Sequence, residues 1–118
     1  MYEIKVIDEF SGAHNLTNYK GNCEALHGHN WRVEAVFAYL SLDSDGMAVD
    51  FKEAKAQLKA VLIQFDHSYL NEAGFFKSAN PTSENMAKFI HDELKKKDSH
   101  VQSVSVWEND TSCATYRD

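Results

Sequence analysis

Cys23-Glu24-Ala25-Leu26-His27-Gly28-His29 leads directly into Asn30-Trp31-Arg32-Val33-Glu34-Ala35-Val36-Phe37-Ala38-Tyr39-Leu40. Side chains alternate along an extended backbone, so a strand from about Leu26 to Leu40 puts His27, His29, Trp31, Val33, Ala35, Phe37 and Tyr39 on one face. Arg32 and Glu34 mark the opposite, wetter face. Two imidazoles on a mostly apolar face need partners for their nitrogens. A metal ion is one solution and hydrogen bonding to backbone carbonyls is another; the spacing alone does not choose between them. Gly28 leaves room for close backbone approach, and a cation held by the two rings would favour the thiolate form of the nearby Cys23.

Upstream, Tyr2, Ile4, Val6 and Phe10 alternate with Glu3, Lys5 and Glu9, which predicts a half-buried strand with Ile7 as its one misfit. If the extended backbone continues, Gly12 and His14 share the face of Phe10; the bland reading of His14 is a surface loop histidine. Asn15 to Asn22 is rich in turn residues and reads as a loop that delivers Cys23 to the next strand. Downstream, Ser41 to Gly46 is a polar turn, and Asp50-Phe51-Lys52-Glu53 has the form of a capping box. Phe51, Ala54, Leu58, Val61, Leu62 and Phe65 then make one apolar helical stripe. Asp66-His67 at its end reads either as a polar helix terminus or as a proton-transfer pair. Thr82 is a plausible N-cap for a second helix whose stripe is Met86, Phe89, Ile90 and Leu94, and Lys95-Lys96-Lys97 suits its C-terminal end. Val104, Val106 and Glu108 share a face of a third strand, where a carboxylate is expensive to bury unless it binds something. Asn109-Asp110 marks a turn, and Cys113 to Arg117 returns as a fourth strand. The order ββααββ predicts an α+β domain on an antiparallel sheet, with residues 1–118 forming a single domain.

With 118 residues, 43% hydrophobic and 25% charged, the chain can build one ordinary globular core. A net charge of -6 argues against a nucleic-acid binder or a partner of anionic membranes. No apolar run reaches membrane-spanning length, and Met1 enters an alternating segment rather than a signal peptide, so the expected location is cytoplasmic, with the two cysteines as free thiols.

The joint pattern is Ala13-His14, Cys23 with His27-Gly28-His29-Asn30, Gly46-Met47-Ala48-Val49-Asp50-Phe51, Asp66-His67 with Leu70-Asn71, Pro81-Thr82-Ser83-Glu84-Asn85, and Trp107-Glu108. It resembles the 6-pyruvoyl-tetrahydropterin synthase family over essentially the whole chain. Within that family it is most similar to the 6-carboxy-5,6,7,8-tetrahydropterin synthase branch of queuosine biosynthesis. The resemblance implies the tunnelling fold (T-fold): a four-stranded antiparallel sheet with two helices on one face, trimers that close a β-barrel, and a homohexamer made as a dimer of trimers. Closure of a barrel also agrees with the two edges a lone sheet would expose.

Carried over residue by residue, the resemblance makes His14, His27 and His29 ligands of a zinc ion (Zn2+), with one coordination position open for substrate. It makes Cys23 the general base, Asp66 and His67 the proton relay, and Glu108 the anchor of the pterin ring with a further part in the relay. Thr82 and Ser83 would line the pterin pocket. The implied enzyme is a zinc-dependent lyase acting on 7,8-dihydroneopterin triphosphate, releasing triphosphate and acetaldehyde and leaving 6-carboxytetrahydropterin. Cys23 and Glu24 together also satisfy the Glu-x-x-His-Gly-His pattern of relatives that make 6-hydroxymethyl-7,8-dihydropterin for folate. A 6-pyruvoyl product, or a zinc-retaining pterin-binding protein without catalysis, completes the alternatives.

Overall fold

The computed structural model describes residues 1–17 and 25–118, the side chain of Phe75 excepted; Cys23 and Glu24 therefore lie outside the described residues. Strands β1 (Tyr2–His14) and β2 (His27–Tyr39) form a long antiparallel pair. The chain continues through helix α1 (Phe51–Leu62), a two-residue strand β3 (Ser68–Tyr69), helix α2 (Ser83–Lys97), and strands β4 (Val101–Asn109) and β5 (Ser112–Arg117). The sheet order is β3-β1-β2-β4-β5. The expected four antiparallel strands are present, and a fifth is added: β3 pairs in parallel with Gly12 and Ala13 of β1. So short a strand carries no readable alternation, which is why the sequence does not announce it.

The even-numbered residues Val6, Phe10, Gly12 and His14 of β1 face the core with Trp31, Val33, Ala35 and Phe37 of β2. Ile7, the misfit of the alternation, is half exposed on the other side. Both helices cover the core face, α1 against β1 and α2 against β4 and β5. Ala54, Leu58 and Val61 of α1, and Met86, Ile90 and Leu94 of α2, are fully buried there. Each large apolar side chain so buried contributes about 1.5–3 kcal/mol relative to exposure. Two members of the expected α1 stripe behave differently. Phe51, in the first turn, is largely exposed, and Phe65 is buried but lies in the turns after the helix. Both caps form as the sequence suggests: Asp50 accepts from the Lys52 N–H and Thr82 from the Asn85 N–H. No described helix is long and apolar enough to cross a membrane.

The molecule extends 56 × 27 × 24 Å with a radius of gyration of 15.3 Å, against about 13.5 Å for a compact domain of this length. The β1–β2 ladder runs the whole length of both strands and puts His14, His27 and His29 at one end of that ribbon.

Candidate active site

Register, more than the sequence spacing, assembles the site. In the β1–β2 ladder His14 stands directly opposite His27 and Gly12 opposite His29, so all three rings rise from one face within one step of each other. Ring centroids lie 4.6 Å (His14–His27), 5.5 Å (His14–His29) and 4.8 Å (His27–His29) apart. Trp31 floors the cluster, with its ring centroid 4.8 Å from His14 and 5.1 Å from His29 and its indole N–H bonded to the Gly12 carbonyl at 3.2 Å. Gly28 contributes little sterically, since a Cβ there would meet only the Gly12 oxygen at 3.8 Å. Gly12 is the tighter position, where a Cβ would press on Leu70 at 3.3 Å.

The hydrogen bonds decide what these rings can bind. His14 Nδ1 donates to the Pro81 carbonyl at 2.8 Å, and His27 Nδ1 donates to the Ala25 carbonyl at 2.8 Å. A carbonyl oxygen can only accept, so in the neutral rings each Nδ1 carries the proton and each Nε2 presents a lone pair. Those two Nε2 atoms face one another at 3.0 Å. Two lone pairs at that separation call for a positive charge between them, and carbonyl-bonded back nitrogens are how metal-ligating histidines are usually oriented. The residues therefore fit a nitrogen-coordinated cation such as zinc.

Glu108 joins this group, with its Oε1 3.5 Å from His29 Nε2 and one ligand atom from each of His14, His27, His29 and Glu108 within 4.8 Å of the others. The β4–β5 register shifts between Trp107 and Asn109, which leaves Glu108 as the extra residue of a bulge, a device that re-aims a side chain. The same carboxylate lines a cleft of about 340 Å³ with Ser83, Glu84, Asn109, Ser112 and Cys113. Glu108 thus borders both the histidine cluster and a second space in which Ser83 lies. Thr82 is adjacent in sequence, but its hydroxyl oxygen is engaged as the α2 cap. Cys113 is a free, exposed thiol.

Asp66 and His67 are a pair: His67 Nδ1 is 3.0 Å from Asp66 Oδ1, which also accepts from the Ser11 N–H at 3.0 Å. That backbone bond is the main reason the Asp66 carboxyl is held below the usual carboxylate range, with His67 adding to it. His67 adopts φ +56, the left-handed region, and its own N–H bonds to the Ser11 carbonyl at 2.6 Å. A non-glycine residue held there, with an imidazole 81% exposed, is strain spent on pointing a ring outward. A groove of about 590 Å³ runs from His67 and Tyr69 past Ser11 and Gly12 to His29, so His67 and one ring of the cluster border the same space.

The structure thus brings together His14, His27, His29 and Glu108, sets His67, paired with Asp66, on a groove that reaches His29, and puts Ser83 in the cleft that shares Glu108. The carbonyls of Ala25 and Pro81 are parts that sequence reasoning missed, because backbone acceptors leave no mark in a residue pattern.

The 6-pyruvoyl tetrahydropterin synthase family model matches residues 3–118. A protein of Archaeoglobus fulgidus, named provisionally as a 6-carboxy-5,6,7,8-tetrahydropterin synthase, is 36% identical over 97% of this chain and 94% of its own length. The 6-carboxy-5,6,7,8-tetrahydropterin synthase of Haemophilus influenzae is 27% identical over the full length of both chains. Among solved structures, the Caenorhabditis elegans 6-pyruvoyl tetrahydropterin synthase superposes with a TM-score of 0.86 at 26% identity, covering 99% of this chain and 95% of that one. The Plasmodium falciparum 6-pyruvoyl tetrahydropterin synthase shares the fold with a TM-score of 0.75 at 20% identity, covering 99% and 97%.

Proposed function

The chain belongs to the 6-pyruvoyl tetrahydropterin synthase family, and from that premise we propose that it is a zinc-dependent 6-carboxy-5,6,7,8-tetrahydropterin synthase. Its substrates are 7,8-dihydroneopterin triphosphate and one water, and its products are 6-carboxytetrahydropterin, acetaldehyde and triphosphate, the water supplying the atoms that carbon–carbon cleavage adds. The observation that carries the reading is the histidine cluster, with two Nε2 lone pairs converging at 3.0 Å and their Nδ1 atoms tied to carbonyls. The names borne by the Archaeoglobus and Haemophilus relatives favour the carboxy product.

His14, His27 and His29 hold the ion. Bound zinc supplies Lewis acidity toward the substrate's side-chain hydroxyls, which makes the neighbouring C–H and O–H bonds easier to deprotonate. Glu108 anchors the pterin ring, and Thr82 and Ser83, at the start of α2, line the ring's pocket with hydroxyl and backbone groups. Cys23 is the general base that removes a substrate proton. His67, held by Asp66 through Nδ1, turns Nε2 outward to return one. Their work is placement and proton traffic while triphosphate leaves and the side chain is cleaved.

The assembly belongs to the same proposal: a homohexamer of two stacked trimers, each closing its sheets into a barrel. The elongated shape and the sheet edges at β3 and β5, which pair with no further strand among the described residues, support this, because an unpaired edge invites another strand.

A second reading rests on Glu24, which stands beside Cys23 and supports a hydroxymethyl pterin as product. Incubating zinc-loaded protein with 7,8-dihydroneopterin triphosphate, with mass spectrometry of the pterin and assay of acetaldehyde, separates the cases. The expected result is the 6-carboxy pterin with acetaldehyde, and loss of turnover by about two orders of magnitude in Cys23→Ala. A hydroxymethyl product that survives Cys23→Ala transfers the base to Glu24. A 6-pyruvoyl product without acetaldehyde would mean that cleavage does not occur. Zinc retention with no turnover would reduce the protein to a binder.

A further inference from the structure

The β1–β2 ladder ends at the His14–His27 pair, yet the backbone just beyond His14 is firmly held. Two asparagine side chains hold it. Asn71 Oδ1 accepts from the Asn15 N–H at 3.0 Å while Asn71 Nδ2 donates to the Asn15 carbonyl at 2.7 Å. Asn80 repeats the arrangement two residues on: its Oδ1 accepts from the Thr17 N–H at 3.0 Å and the Thr17 hydroxyl at 2.8 Å, and its Nδ2 donates to the Thr17 carbonyl at 3.2 Å. A carboxamide offers the same donor and acceptor as a peptide group, so each asparagine acts as one hydrogen-bonded residue of a neighbouring strand.

Both clamps are themselves anchored. Asn71 belongs to a short 3₁₀ turn, Leu70–Glu72, whose Leu70 is buried against Gly12 of β1. The Tyr69 hydroxyl, one residue ahead of that turn, donates to Asn15 Oδ1 at 2.7 Å. The Asn80 carbonyl accepts from the Thr82 N–H and from Asn85 Nδ2, both at 2.8 Å, which ties it to the start of α2. The next residue, Pro81, supplies the carbonyl that orients His14. One tripeptide, Asn80-Pro81-Thr82, therefore orients a histidine, grips the main chain three residues past it, and caps the helix that carries Ser83. Only five residues separate Thr17 from Cys23.

We infer that Asn71 and Asn80 are positioning residues. Their amides extend the β1 ladder past His14, keep that ring in its place in the cluster, and set the point from which the chain departs toward Cys23. The inference rests on the proposed function for the roles of His14 and Cys23. Groups that act through a neighbour's placement lose rate rather than substrate affinity when removed, and displacements near 1 Å are enough.

The test uses the zinc-loaded full chain with Asn71→Ala, Asn80→Ala, their combination, and the Asp variants, which keep the acceptor and delete the donor. Three quantities are read beside Tm: the rate of zinc loss to a chelator, the alkylation rate of Cys23 relative to Cys113 in the same molecules, and kcat and KM separately. In the double Ala variant zinc should be lost about tenfold faster. The Cys23 to Cys113 alkylation ratio should move by about threefold or more. The kcat should fall by about 10- to 100-fold with KM within about threefold of wild type. Each Asp variant should fall between wild type and Ala. Unchanged zinc loss and unchanged alkylation in the double variant overturn the inference. So does a fall in kcat that only follows the fraction of folded protein. If the double variant does not fold, the single Asp variants decide by the same readings. Zinc loss and alkylation need no pterin, so a wild type that leaves dihydroneopterin triphosphate untouched fails the functional proposal alone. A wild type that binds no zinc leaves the alkylation ratio to decide.

Discussion

His14, His27 and His29 meet a different kind of neighbour from His91 and His100. In the first group the nitrogens turned away from the cluster at His14 and His27 bond to carbonyls, and the remaining ones converge. His91, buried under β5, has Nδ1 3.0 Å from Asp92 Oδ1 and Nε2 3.0 Å from Asp118 Oδ1. His100, at the far end of β2, faces Asp98 at 2.8 Å and stacks on Tyr39 with centroids 4.1 Å apart. A ring that hydrogen-bonds one carboxylate through Nδ1, as His91 does with Asp92, and stands within ion-pairing distance of another ties elements together. Rings whose ε-nitrogens converge form a group that could hold a metal ion. Burial does not separate the two groups, since His14 and His91 are both buried polar residues. The partner of each nitrogen does.

The most severe way to break this contrast is His27→Ala combined with His29→Ala. Metal analysis should fall from about one zinc per chain to almost none, with far-ultraviolet circular dichroism kept, because these rings lie at the ribbon's end. Stoichiometric zinc in that variant would remove the basis for treating the two groups as different in kind.

His91→Ala probes the other side. It should leave zinc content unchanged and cost about 1–3 kcal/mol of folding stability, since it leaves a cavity and strips Asp92 and Asp118 of a shared partner. Denaturant unfolding measures the cost, and loss of zinc instead would erase the distinction.

Acid offers a gentler probe of the same end. The bond from Lys95 is the main influence on Asp118 and lowers its carboxyl against the opposing effect of burial. Burial raises Asp92 and Asp98, but bonds from Lys88 and His91 to Asp92, and from the His100 backbone, the His100 ring and Gln57 to Asp98, outweigh it. All three therefore sit below the ordinary Asp value of 3.8 in the folded chain. Their stabilisation is full above that value and is lost as pH falls through the lowered folded values. In Lys95→Ala the stability lost between neutral pH and pH about 3 should be smaller than in wild type, read by denaturant midpoints at each pH.

His100→Ala should have the smallest effect, within about 0.5 kcal/mol, because the ring is half exposed and its bond to Asp98 can pass to water. Its zinc content should equal that of wild type.

Much of this was legible in the residues. Alternation named the core face of β1 and β2 correctly, including the placement of His14 with Phe10 and of His27 and His29 with Trp31, because a period of two encodes facing directly. The caps Asp50 and Thr82 and the α2 stripe were equally visible, for each depends on neighbouring turns of one helix; of the α1 stripe, Phe51 is exposed and Phe65 lies beyond the helix. The short parallel strand β3 and the bulge at Glu108 were not, since neither has a local period to show.

By itself the sequence determined which faces are apolar, where the helices start, and which side chains able to bind a metal or move a proton lie near one another along the chain. The tertiary structure alone decided register. Alternation is unchanged by a slip of two residues, so only packing of the whole ribbon could set His14 opposite His27 rather than His29. It also decided the contacts made across large separations: Pro81 to His14 over 67 residues, Asn71 to Asn15 over 56, and Asn80 to Thr17 over 63. Their acceptors and donors include main-chain groups that every residue carries, so the amino-acid pattern does not distinguish them until the fold brings them into reach.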